Sequence, residues 1–132
     1  MALATARTPL RRGDIWWMNL DPTQGSEIGK TRPAVVITAD ALNRARRTVV
    51  IVPLSTGPAP RPPIVVSTPS AGPNSVAVCD QLRAVDKRRL MRSSGRLSID
   101  DLRLIEEGVR RVLELEARYL LRLAPMLSCG RR

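Results

Sequence analysis

Between Gly13 and Leu97 the chain repeats one device, a short run of β-branched or aromatic residues closed by proline, glycine or asparagine; only after Ser98 does the apolar period lengthen from two to three or four. Such a pattern commits the backbone to several short strands followed by a single helix. Gly13 to Leu20 is the first strand, with Ile15, Trp17 and Asn19 on the face opposite Trp16, Met18 and Leu20. The two tryptophans therefore cannot both be exposed, and packing in the core or a dimer interface is preferred over base stacking. Pro33 to Thr38 is nearly all apolar, which predicts a central strand buried on both faces with proline tolerated at its first residue. A polar excursion with one helical turn, Asp40 to Arg44, precedes a third strand, Thr48 to Ser55, with Ser55 and Thr56 at its exit.

Gly57 to Pro63 is a stiff polyproline-type segment, read as a connector between strands rather than as an SH3 ligand. Ile64 to Thr68 gives a fourth strand and Pro69 to Asn74 a turn. Ser75 to Val85 is predicted as one long fifth strand, Val76, Val78, Asp80 and Leu82 facing one way and Ala77, Cys79, Gln81 and Arg83 the other. A basic turn, Asp86 to Leu90, leads to a short closing strand, Arg92 to Leu97. Ser98 is a strong N-cap, with Asp100 and Asp101 placed to complement the helix dipole. Ile99, Leu102, Ile105, Val109, Val112 and Leu113 then form one stripe, weakened slightly by Gly108 and extending to about Leu121, with Pro125 as the stop. The expected fold is mainly β with one long C-terminal helix: a small antiparallel barrel or half-barrel over 11–121, a frayed arm over 1–10 and a basic tail over 122–132.

The loop between the first two strands concentrates the polar chemistry. From Gly25 to Pro33 it carries two glycines that let a ligand approach the backbone, two cations, Lys30 and Arg32, and one acid, Glu27. That composition suits phosphate and predicts a mobile loop. Its Gly29-Lys30-Thr31 end imitates a nucleotide-binding P-loop. The spacing back to Gly25 is one residue short, however, and a strand follows where a P-loop needs a helix.

Composition narrows the chemistry further. A chain of 132 residues is one domain, able to bury roughly two-thirds of its unfolded surface without staples. The net charge of +10 points to a polyanion, nucleic acid first. There is no histidine, which excludes Ser-His-Asp, Cys-His and histidine-pair ribonuclease mechanisms. Cys79 and Cys129 lie far apart with no partners of zinc-site spacing, so neither a metal nor another cofactor is expected. Aromatic residues make up 2% of the chain, too few for an RRM-type stacking surface. No apolar run reaches the ~18 residues of a membrane span, and the expected compartment is a reducing cytoplasm.

Six separated blocks, in order, resemble the MazF/PemK toxin family: Arg12-Gly13-Asp14-Ile15-Trp16, Asp21-Pro22-Thr23-Gln24-Gly25-Ser26-Glu27, Thr31-Arg32-Pro33-Ala34-Val35-Val36, Val52-Pro53-Leu54-Ser55-Thr56, Ser75 through Arg83, and Val85 through Leu90. The resemblance implies an SH3-like barrel of the MazF/CcdB type, a homodimer, and an acidic antitoxin of the MazE type. It also implies metal-independent cleavage of single-stranded RNA, in which the substrate's own 2′-OH attacks phosphorus to leave a 2′,3′-cyclic phosphate and a 5′-OH. Arg32 matches the catalytic arginine, whose planar fork suits a developing phosphorane. At the position of the catalytic threonine this chain has Ser55, with Thr56 one residue later; Ser55 is preferred and Thr56 remains the alternative. Glu27 either orients or accepts the 2′-OH proton or is a solvated loop acid. Asp80 and Gln81 match a pair that reads base edges, and Ser26, Lys30, Pro33 and Arg83 complete the implied RNA-binding set. Two other readings stand beside this one: a gyrase-inhibiting toxin of the same fold, and a plain RNA-binding barrel.

Overall fold

The structure, a computed structural model, describes residues 9–115. Seven strands alternate with short turns: β1 (Asp14–Asn19), β2 (Thr31–Val36), β3 (Thr48–Ser55), β4 (Val65–Ser67), β5 (Val76–Val78), β6 (Arg83–Asp86) and β7 (Leu90–Arg96). Helix α1 (Asp40–Ala45) lies between β2 and β3, and α2 (Ile99–Leu113) follows β7. All pairings are antiparallel, in the order β4-β5-β3-β2-β1-β7, with β6 on the same edge of β3 as β5.

Strand alternation sorts the apolar side chains into two cores. Ile15, Val35, Val52, Leu54, Val66, Ala77 and Cys79 pack beneath Ile105 of α2, and Trp16, Met18, Leu20, Ala34, Val36, Val49, Ile51, Val85 and Leu90 pack on the other face. β2 is buried on both faces as expected, with Ala34, Val35 and Val36 fully enclosed. Trp16 is buried, whereas Trp17 is partly exposed with the Arg92 guanidinium 5.0 Å above its ring, a cation–π contact. Leu10, assigned to the frayed arm, packs on the second core instead, so order begins before Arg11. Residues 1–8 of that arm and the basic tail lie outside the described residues.

The long fifth strand is not continuous. A 3₁₀ turn, Cys79–Gln81, divides it into β5 and β6. The pairing with β3 jumps there: between Ile51↔Arg83 and Leu54↔Ala77, two residues of β3, Val52 and Pro53, face five of the other strand. Pro53 has no N–H to offer a ladder, and the break falls beside it. Period-two alternation reads straight through such a turn, because the buried run Val76 to Cys79 leads into it without a turn-forming residue.

Helix α2 also ends earlier than the stripe suggests. Glu114 adopts the left-handed conformation (φ 54°, ψ 43°), and the N–H groups of Glu114 and Leu115 donate back to carbonyls of the last turn, a C-cap closing the helix at Leu113. Its start is as expected, with Ser98 Oγ accepting from Asp101 N at 3.1 Å. The buried Asp101 carboxylate in turn accepts from Ser70 N at 2.9 Å and from Ser70 Oγ, pinning α2 to the β4–β5 turn.

At Gly108 helix α2 lies directly against the Cys79–Gln81 turn and the segment leading into β4. A Cβ there would sit 2.5 Å from both Cys79 Sγ and the Pro63 carbonyl oxygen. Gly108→Ala gains up to about 1 kcal/mol in helix propensity but forces the helix off the turn, an overpacking cost of about 1–3 kcal/mol. A lowered urea midpoint at unchanged m-value is expected; a midpoint equal to or above the native one would show that the contact yields freely.

Candidate active site

The site grows from the β1–β2 loop, residues 20–30. Leu20 N donates to Lys30 O at 2.9 Å, closing the base of the loop. Asp21 Oδ1 accepts from Lys30 N at 2.9 Å and from Thr23 Oγ1 at 3.4 Å, while Glu27 Oε1 accepts from Gln24 N at 2.7 Å. From outside, Gln81 reaches across with both ends of its amide, Oε1 accepting from Ile28 N at 3.3 Å and Nε2 donating to Ser26 O at 3.4 Å. Arg83 Nη1 donates to Leu20 O at 3.1 Å, and Arg89 Nη1 donates to Asn19 O at 3.1 Å and to Asp21 O. The composition predicts mobility; the structure shows a loop fastened along its length, because polar groups distant in sequence supply partners for its backbone.

Arg32 leaves this loop as the second residue of β2, opposite Met18 on β1 and partly buried. Its Nε donates to Gly29 O at 2.9 Å. Among the described residues no carboxylate or carbonyl takes its two terminal nitrogens, so the guanidinium fork is oriented yet unoccupied. Pro33 follows, opposite Trp17. On the other side of β2, Ala34 pairs with Pro53, and carrying that register two residues on sets Arg32 opposite Ser55 on the same face. Ser55 is the last residue of β3, paired with Val76, and its Oγ accepts from Gly57 N at 3.4 Å. Thr56 stands exposed just past the strand, where alternation no longer fixes which way it points.

Asp80 and Gln81 do not alternate on a strand as the sequence suggests. Both lie in the Cys79–Gln81 turn, Asp80 exposed and Gln81 partly buried against the loop. Ser26, Glu27 and Lys30 are exposed and Arg83 partly buried. Hydrogen bonds thus connect Ser26, Ile28, Gly29, Arg32, Gln81 and Arg83 around one loop, with Ser55 adjoining by strand register. Cys79, the first residue of the turn that carries Gln81, faces α2 instead and is a bystander: burial, reinforced by the neighbouring Asp80 charge, pushes its thiol up to about 11, leaving it protonated at neutral pH. Lys30 is followed by β2 rather than a helix, so no P-loop is formed.

Two residues escaped the sequence reading. Asp21 reads only as the start of a turn, and Arg89 only as one of a basic run. Nothing local signals that Arg89 would reach back to the loop's root.

Over residues 11–113 the chain matches the model of the PemK-like, MazF-like toxin of type II toxin-antitoxin systems. It belongs to that family. The endoribonuclease MazF9 of Mycobacterium tuberculosis is 33% identical over 115 residues, covering 80% of this chain and 98% of the relative. Among solved structures, MazF of Deinococcus radiodurans superposes with a TM-score of 0.73 at 26% identity, over 81% of this chain and 98% of that one. The MazE–MazF structure from the same organism (form II) gives 0.67 at 25%, over 83% and 99%. The curled seven-stranded sheet with its C-terminal helix is therefore the SH3-like MazF-type fold. In this PemK/MazF family member the loop, Arg32 and the β3 exit occupy one end of that sheet.

Proposed function

We propose that this chain is the toxin half of a type II toxin–antitoxin pair, an endoribonuclease that cuts single-stranded RNA in the cytoplasm and so blocks translation and growth. The observation that carries this reading is the Arg32 guanidinium, held by its Nε and presenting, at the foot of a glycine-containing loop, a fork that no carboxylate or carbonyl among the described residues takes up. The 2′-oxygen attacks the adjacent phosphorus in line, the phosphorus–O5′ bond breaks, and the products are a 2′,3′-cyclic phosphate and a 5′-OH. Arg32 stabilises the extra charge on the non-bridging oxygens, Ser55 Oγ donates to one of them, Glu27 receives the 2′-OH proton after leaving Gln24 N, and solvent water protonates the departing O5′. Ser26, Lys30, Pro33 and Arg83 bind the strand, and Asp80 with Gln81 reads base edges once Gln81 releases the loop. An acidic antitoxin of the MazE type covers the same basic surface, and the toxin acts as a homodimer. The family match and the name of the mycobacterial relative favour this over gyrase inhibition or simple RNA binding.

The mechanism needs no metal. Purified protein is expected to cut single-stranded RNA in excess EDTA, with cyclic phosphate at the upstream end by mass spectrometry and no cleavage of the matching DNA, which lacks the nucleophile. Activity that disappears in EDTA and returns with Mg²⁺, or upstream products ending only in 3′-OH, refutes it.

A further inference from the structure

The guanidinium that the proposed reaction relies on is oriented by a backbone carbonyl, and that carbonyl is itself positioned by a side chain outside the implied catalytic and RNA-binding set. Arg32 Nε donates to Gly29 O. Gly29 is packed so closely on Asp21 that any Cβ would run into Asp21 Oδ1 and Thr23 Oγ1. The next residue, Lys30, holds a left-handed φ of 67°, rare for a residue with a side chain, and its N–H donates to Asp21 Oδ1 at 2.9 Å. An aspartate that merely caps a turn would engage an N–H two residues on, whereas this one reaches across nine residues to the far root of the loop. Asp21 is in turn fixed by its own backbone: its N–H donates to Asn19 Oδ1 at 3.0 Å, and its carbonyl accepts from Arg89 Nη1. The chain of contact therefore runs from Arg89 through Asp21 to the Gly29–Lys30 peptide and on to Arg32.

We infer that Asp21 is a positioning residue for Arg32: its carboxylate holds the strained Gly29–Lys30 turn so that the Gly29 carbonyl grips Arg32 Nε and aims the free fork at the scissile phosphate. The inference rests on the ribonuclease reading above for what the fork is aimed at. The geometric part stands without it. A charge-assisted bond to a backbone N–H is a suitable restraint for a left-handed non-glycine residue.

The test compares Asp21→Ala with Asp21→Asn, which keeps an acceptor oxygen at the same place. The first readout is the Arg32 Nε–Hε resonance, identified by its absence from Arg32→Lys. It is expected to be protected from exchange in the native chain and in Asp21→Asn, and to lose protection in Asp21→Ala. The second readout is single-turnover cleavage at saturating protein. Asp21→Ala is expected to be slower by about tenfold, with RNA affinity within about threefold of native, and Asp21→Asn to recover most of the rate. Survival of the protected Arg32 signal in Asp21→Ala overturns the assignment whatever the rate does. So does an Asp21→Asn chain that melts at the native temperature yet is as slow as Asp21→Ala. Should the native chain cleave no RNA at all, the ribonuclease reading falls, and the resonance alone still decides the role of Asp21.

Discussion

Arg32→Lys is expected to bind RNA within about threefold of the native chain while its single-turnover cleavage falls about a hundredfold. Lysine keeps the charge, so phosphate attraction survives. It loses the geometry twice over. Arg32 uses Nε to hold the Gly29 carbonyl and keeps two terminal nitrogens for the substrate, whereas lysine has one nitrogen for both tasks. Interactions that strengthen only as charge accumulates on the phosphorane lower the barrier, and a fixed fork supplies them where a flexible ammonium does not. Arg32→Ala should be inactive yet folded. The packing of β2 is carried by Ala34, Val35 and Val36, which are fully buried, whereas Arg32 lies at the strand's edge. Both variants call for single-turnover cleavage, equilibrium RNA binding and thermal melting side by side. A lysine variant that cleaves at the native rate contradicts the bidentate role, and an active alanine variant removes Arg32 from the mechanism.

The second large effect concerns the hydroxyl at the end of β3. Ser55→Ala is expected to lower the cleavage rate by about a hundredfold and Thr56→Ala by less than about threefold. Strand register gives the reason: Ser55 lies on the face of β3 shared with Pro53 and Ile51, which is the face Arg32 occupies on β2. Thr56 lies beyond the last paired residue and is exposed. Because Ser55 Oγ also accepts from Gly57 N, a urea titration of each variant must accompany the kinetics, so that a loosened strand end is not read as lost chemistry. The reverse order of effects would move the donor role to Thr56.

Much of the barrel is local physics and was legible residue by residue. β-branched runs ended by proline or glycine placed β1, β3 and β4 to within a residue, and the Ser98 cap placed the start of α2. β2 instead starts at Thr31 and ends at Val36, two residues before the span its apolar run suggests, because pairing with β1 carries the strand back through Arg32. Alternation separated Trp16 from Trp17 before any tertiary contact was known, because a strand sends neighbours to opposite faces. The ordered family blocks are what singled out Arg32, Ser55 and the Asp80–Gln81 pair as implied site residues. Other features had no local signature. The Cys79–Gln81 turn arises where β3 presents Pro53 to its neighbour and α2 presses on Cys79, two elements far away in sequence. Gly108 reads as a flaw in a helix until the sheet it must touch is in view. The fastening of the loop by Gln81, Arg83 and Arg89, and of Arg32 by way of Asp21 and Gly29, is likewise tertiary. Side-chain hydrogen bonds to backbone depend on which segments the fold brings together, and no period or propensity encodes that. The sequence thus determined the elements, their faces and the family to which the chain belongs, whereas only the packing of the loop against the β5–β6 and β6–β7 turns decided how the arginine is held.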